Sequence, residues 1–144
     1  MNITRKQIAY NYSKRMQPIR YIVIHDTGNP SVGADVFIDD TGVWIVNDYK
    51  KYYSWHCGDG KGKYGITNGN SIGVELCINQ DGNRTRAIGY MVDFVKELMA
   101  EFNIDASRVV RHYDASRKNC PASMTANNWA YGRILKTEYQ KARI

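Results

Sequence analysis

No apolar run in this chain approaches the ~20 residues that a membrane-spanning helix needs, and the polar stretch from Met1 to Arg15 lacks the apolar centre of a secretory signal. The expectation is a chain made in the cytoplasm and not inserted in a membrane, so a target beyond the membrane would require release by another route. Proline is scarce, at three residues, and there is no low-complexity tract or repeating period, which excludes a disordered chain, a solenoid and a propeller. At 144 residues, one domain spanning 1–144 is expected, and one site has to explain the chemistry. The three cysteines, Cys57, Cys77 and Cys120, are too few for a disulfide framework, and their odd number leaves at least one thiol outside any intramolecular bridge. Cys77 reads as a buried free thiol or as a partner of Cys57 under oxidation. Long basic runs are missing too. The net charge of +6 is scattered from Arg5 and Lys6 to Arg117 and Lys118, which argues against a nucleic-acid footprint and leaves an anionic partner such as a polyanionic wall.

What is present reads as α/β: a mixed central sheet flanked by helices. Tyr21-Ile22-Val23-Ile24 is a short β-branched run, the pattern of a buried strand, and it ends in His25-Asp26-Thr27-Gly28. A histidine at that edge sits where clefts form in open α/β sheets. Val36-Phe37-Ile38 and Val43-Trp44-Ile45-Val46, joined at Asp39-Asp40-Thr41-Gly42, predict a hairpin. From Ser71 to Asn79 the residues alternate, with Ile72, Val74, Leu76 and Ile78 on one side and Gly73, Glu75, Cys77 and Asn79 on the other. Ile88, Met91, Val92, Val95, Leu98, Met99 and Phe102 follow helical spacing and predict an amphipathic helix over 86–102. Val109-Val110 predicts a last short strand before Arg111-His112, and a C-terminal helix is expected from about Thr125 to Lys141. The stretch from His56 to Gly65, extended by Asn68-Gly69-Asn70, is too rich in glycine for a regular element and reads as a binding loop.

Histidine is as scarce as cysteine: His25, His56 and His112. A catalytic zinc site takes three His, Cys or carboxylate ligands and leaves a fourth position open. His112 and Cys120 stand eight residues apart, close enough to curl onto one ion with His25 arriving from a strand end. That spacing is not a zinc-finger pattern, and it leaves ordinary core or surface histidines as an equal reading.

Three segments in order, Tyr21 to Thr27, Asn70-Ser71-Ile72-Gly73-Val74-Glu75, and His112-Tyr113-Asp114 with Lys118-Asn119-Cys120-Pro121, resemble the type-2 N-acetylmuramoyl-L-alanine amidases. That group includes phage endolysins, autolysins and peptidoglycan recognition proteins. The resemblance covers about 18–124 and implies one zinc ion on His25, His112 and Cys120, with Glu75 and Lys118 as catalytic residues. Trp55-His56-Cys57-Gly58 is similar to a substrate-groove stretch, making Trp55 and His56 substrate contacts; Asn29 joins them through its loop position alone. The implied activity is hydrolysis of the amide between N-acetylmuramic acid and the L-alanine of the stem peptide, by a monomer acting on bacterial peptidoglycan after phage-type release. The alternative is a non-catalytic recognition module of the same fold, against which Cys120 argues. A regulator of nucleic-acid enzymes is a third reading.

The chain departs from this pattern in one stretch. Only ten residues separate His25 from Val36, so a helix usual there is expected to be shortened or absent, and the place of a catalytic Tyr holds Ala34 or Asp35.

Overall fold

The computed structural model describes residues 2–26, 33–77 and 82–120. Asn29, the end of the alternating segment at 78–79 and the C-terminal helix expected over 125–141 lie outside the described residues, as does most of the segment in which a helix was expected to be shortened.

The sheet is built around a parallel trio. β3 (Tyr21–Asp26) lies between β7 (Ser71–Leu76) and β8 (Val109–Arg111), and runs parallel to both. β4 (Val36–Ile38) continues the sheet parallel to β7, and β5 (Gly42–Ile45) pairs antiparallel with β4. This is the expected hairpin, and Asp39 closes its turn by accepting hydrogen bonds from the backbone N–H and the hydroxyl of Thr41, both at 2.7 Å. The polar N-terminus, which carries no apolar pattern, supplies two strands. β1 (Asn2–Arg5), exposed throughout, extends the edge parallel to β5, giving the order β1-β5-β4-β7-β3-β8. β2 (Tyr12–Lys14) pairs with β6 (Tyr52–Ser54) in a separate small sheet.

α1 (Arg84–Phe102) begins where Asn83 accepts a hydrogen bond from the N–H of Arg86 and stops at Asn103, which turns left-handed at φ 53°. Its buried stripe, Met91, Val92, Phe94, Val95, Leu98 and Met99, packs against Ile22, Ile24, Ile72, Val74 and Leu76 of the sheet. Burying each such side chain stabilises the fold by roughly 1.5–3 kcal/mol, so this layer carries most of the hydrophobic stabilisation. Among the described residues no helix is long and apolar enough to cross a membrane.

The other face of the sheet holds no long helix among the described residues. A smaller apolar cluster, Val23, Cys57, Ile66, Val110 and Ala115, seals it under the loops and under α2 (His112–Ser116). Because β3, β7 and β8 are parallel, their C-terminal ends share one edge, and that edge delivers His25, Glu75 and His112.

Candidate metal centre

Side chains alternate along a strand, so His25 shares the face of Val23, and Glu75 that of Ser71 and Gly73, away from α1. His25 and Glu75 are register partners on adjacent strands. His112 opens α2 immediately after β8. The chain then reverses at Arg117, left-handed at φ 74°, and the carbonyl of Cys120 accepts a hydrogen bond from the N–H of Tyr113 at 3.0 Å. That closure is why eight residues of separation bring Cys120 onto the same point as His112.

His25, His112 and Cys120 converge with their donor atoms all within 4.8 Å. Nδ1 of His25 is 3.1 Å from Nδ1 of His112 and 3.6 Å from Sγ of Cys120. Around a tetrahedral zinc, two imidazole nitrogens stand about 3.3 Å apart and a nitrogen and a thiolate sulfur about 3.6 Å apart. The donor set therefore fits one such ion. Burial, reinforced by the neighbouring imidazoles and Lys118, lowers the pKa of His25 well below its ordinary value, keeping the ring neutral as a ligand must be. Burial pushes the Cys120 thiol up to about 11, so uptake of a metal has to release its proton.

Each histidine is held from behind. Nε2 of His112 donates to Oδ1 of Asp59 at 2.6 Å. Partial burial works to raise the pKa of Asp59, but hydrogen bonds from His112 and Ser116 outweigh it and hold the carboxyl below its ordinary value. Asp59 reaches this point because the turn Gly58–Gly60 presses on α2, where a Cβ at Gly60 would meet the carbonyl oxygen of Ala115 at 2.1 Å. Nε2 of His25 lies 3.0 Å from Nδ1 of His56, whose own Nε2 lies 2.9 Å from the Ser71 hydroxyl. His56 is 2 % exposed, and burial lowers its pKa to about 3. Both ring nitrogens of His56 are engaged, one of them on His25, and the residue also lines the cleft over the centre.

Glu75 is 1 % exposed, and among the described residues neither carboxylate oxygen has a hydrogen-bond partner. Burial first and Asp26 second push its pKa up to about 8, while Lys118 pulls it down. Lys118 lines the cleft over the cluster. Asp35, at the place of the absent Tyr, is fully buried and accepts from Gly73 N, Asn47 Nδ2 and Ser54 N, a bracing role. Cys77 and Cys57 are both free thiols.

A cleft of about 410 Å³ opens over the centre, lined by Trp55, His56, Cys57, Gly58, Asp59, Asn68, His112 and Lys118. Trp55 is 52 % exposed and donates its Nε1–H to the Ser13 hydroxyl, which orients the ring at the cleft wall. A hollow of about 550 Å³ beside β1 and β5 is larger, but its Lys50 is paired with Glu101 and it is lined by none of the convergent histidines. Asp59 and Ser71, which complete the supports of the two histidines, were not singled out from the sequence for that purpose; the Ser71 to Glu75 segment was the available signal.

Comparison with known proteins gives the family. XlyA of Bacillus subtilis (strain 168), an N-acetylmuramoyl-L-alanine amidase, is 37% identical over 126 residues, covering 76% of this chain and 41% of XlyA. CwlH of the same organism, also an N-acetylmuramoyl-L-alanine amidase, is 34% identical over 121 residues, covering 72% and 48%. The chain thus spans less than half the length of these curated relatives. The solved catalytic domain of XlyA matches with a TM-score of 0.79 at 30% identity, over 96% of this chain and 99% of that one. The structure of PlyL matches with a TM-score of 0.76 at 27% identity, over 99% and 97%. The sequence profile described as N-acetylmuramoyl-L-alanine amidase matches residues 15–123, and the chain belongs to that family.

Proposed function

We propose that this chain is a zinc-dependent peptidoglycan hydrolase that cleaves the amide between N-acetylmuramic acid and the L-alanine of the stem peptide. The observation that carries the reading is the convergence of two imidazole Nδ1 atoms and one cysteine sulfur at spacings suited to a single tetrahedral ion. Family membership supports the choice of bond, since XlyA and CwlH carry that activity in their names.

His25, His112 and Cys120 would hold the zinc, which supplies Lewis acidity toward the amide carbonyl and lowers the pKa of a water toward about 7. Glu75, raised in pKa and without a hydrogen-bond partner among the described residues, accepts the proton of the attacking water and returns it to the departing nitrogen. Lys118, a cleft-lining cation, stabilises the charge that develops on the carbonyl oxygen. Trp55 offers a half-exposed aromatic surface for the glycan or stem peptide. Asn29 remains a proposed substrate contact on its loop position. The net charge of +6 draws the protein to anionic wall polymers, with an attraction that weakens as salt rises. Action on the wall after release from the cytoplasm, the endolysin-type route, suits these partners.

The test is release of stem peptides from purified peptidoglycan, with zinc and after chelation. Peptides bearing a free L-alanine amine, lost on chelation and restored by zinc, support the reading. Wall binding without release in the zinc-loaded protein overturns it in favour of a recognition module.

A further inference from the structure

The chain from His25 to His56 to Ser71 does not stop at the serine. The Ser71 hydroxyl lies 2.6 Å from the carbonyl oxygen of Thr67. A carbonyl can only accept, so the hydroxyl proton points at Thr67, and the Ser71 oxygen must accept from Nε2–H of His56. The His56 ring is buried between His25 and the Ser71 hydroxyl, neither of them a carboxylate that would hold an imidazolium, so as a neutral ring it carries a lone pair on Nδ1 and accepts from Nε2–H of His25. His25 is left with its lone pair on Nδ1, the atom that faces His112 and Cys120. Each step follows from the one before, and the last carbonyl sets the direction of all of them.

The surroundings are built to keep this chain in place. Asn68 Oδ1 accepts from the backbone N–H groups of both His56 and Cys57, at 3.0 and 2.7 Å. The same turn, Asn68–Asn70, is capped by the Thr67 hydroxyl, so the residues that grip His56 also fix the terminal carbonyl. Gly73 leaves room for the ring, since a Cβ there would sit 2.7 Å from His56 Cγ. Arg15 donates to the carbonyls of Gly69 and Ser71, pinning the turn against β7. The Cys57 sulfur, 3.8 Å from Ser71 Oγ, completes the wall.

We propose that His56 and Ser71 are positioning residues: a one-way hydrogen-bond relay, ended at the Thr67 carbonyl, that selects the His25 tautomer able to ligate metal through Nδ1. His112 receives the same service from the Asp59 carboxylate, so the two imidazoles are prepared by chemically different supports. The proposal rests on the zinc reading above for what occupies the centre, but the tautomer it assigns exists in the metal-free protein. Loss of such an outer hydrogen bond typically weakens metal binding about 10–100-fold.

The test uses the full chain. Long-range ¹H–¹⁵N correlation spectra of the metal-free wild type are expected to show His25 and His56 both protonated at Nε2. Ser71→Ala is expected to lose the single His56 tautomer and to bind zinc about 10–100-fold more weakly in competition with a chromogenic chelator. With cobalt in place of zinc, the thiolate and ligand-field bands of that variant should shift, which a general loss of stability would not produce. A wild-type His25 protonated at Nδ1, or a Ser71→Ala zinc affinity equal to the parent's, overturns the proposal. A wild type that binds no zinc but shows both Nε2–H tautomers overturns the metal reading and leaves the relay standing.

Discussion

On the α1 side of the sheet, Ile22, Ile24, Ile72, Val74 and Leu76 are sealed by aliphatic neighbours; on the opposite side of the same two strands lie Val23, His25, Ser71, Gly73 and Glu75. Both faces are buried, yet they are held by different physics. The aliphatic face needs side chains of suitable volume, and its interactions carry no direction. The polar face needs every donor matched to an acceptor, because a buried polar group without a partner costs about 1–3 kcal/mol. Glu75 breaks that rule, with two oxygens unpartnered among the described residues, and a carboxyl group kept in that state is one available for proton transfer. The first face supplies the stability that lets the second tolerate it.

The contrast predicts that substitutions on the polar face act on binding and turnover, and those on the aliphatic face on stability. The largest effect is expected from Cys120→Ala. Removing a zinc ligand forfeits several kcal/mol of transition-state stabilisation, about 10³-fold or more in kcat, with zinc lost from the protein by elemental analysis. Chelated wild type and chelated variant should melt at nearly the same temperature.

Glu75→Gln should lower kcat by about 10²–10⁴-fold while leaving zinc bound. Its effect on stability depends on pH. The Glu75 pKa rises from an ordinary 4.5 to about 8 on folding, by burial first and then by Asp26. A carboxyl raised in this way contributes fully below its unfolded pKa and loses that contribution as pH climbs through its folded pKa. Metal-free Glu75→Gln should therefore gain in melting temperature over the parent between about pH 5 and pH 9. A difference that stays flat across that range would remove Glu75 from the account of the polar face.

Leu98→Ala, under the aliphatic face, should cost about 2–5 kcal/mol in urea unfolding and leave the zinc affinity of the folded protein unchanged. A coupled loss of affinity would mean that the two faces are not separable. Gly73→Ala adds a single methyl on the other side, where it meets the His56 ring. About 1–3 kcal/mol of stability should be lost, together with weaker zinc binding measured by chelator competition. The smallest effect is a null one. Burial raises the Cys57 thiol to about 12, so the native protein should resist alkylation there at about pH 8 and become labelled only on unfolding.

Much of the frame was legible locally. The helical spacing of Met91, Val95 and Leu98 and the alternation of Ile72, Val74 and Leu76 are properties of neighbouring residues; they located α1 to within two residues at each end and the start of β7, whose strand ends at Leu76 while the expected segment ran on to Asn79. The N-terminal strands were not legible: β1 is exposed along its whole length and pairs with β5 about forty residues later, so no apolar pattern marks it. For the centre itself, the ordered segments around His25, Glu75, His112 and Cys120 carried the family resemblance, whereas composition and spacing alone left those histidines undecided.

The sequence by itself determined which residues could carry the chemistry and which local elements would hold them, because apolar period and motif order are written along the chain. Tertiary structure alone decided what each histidine leans on. His25 meets His56 across 31 positions, His112 across 87 and Cys120 across 95. Such contacts depend on the register of parallel strands and on loops folding back over them. A hydrogen bond that selects a tautomer requires atoms at a definite distance and angle, and that geometry exists only once the strands are paired and the core has closed.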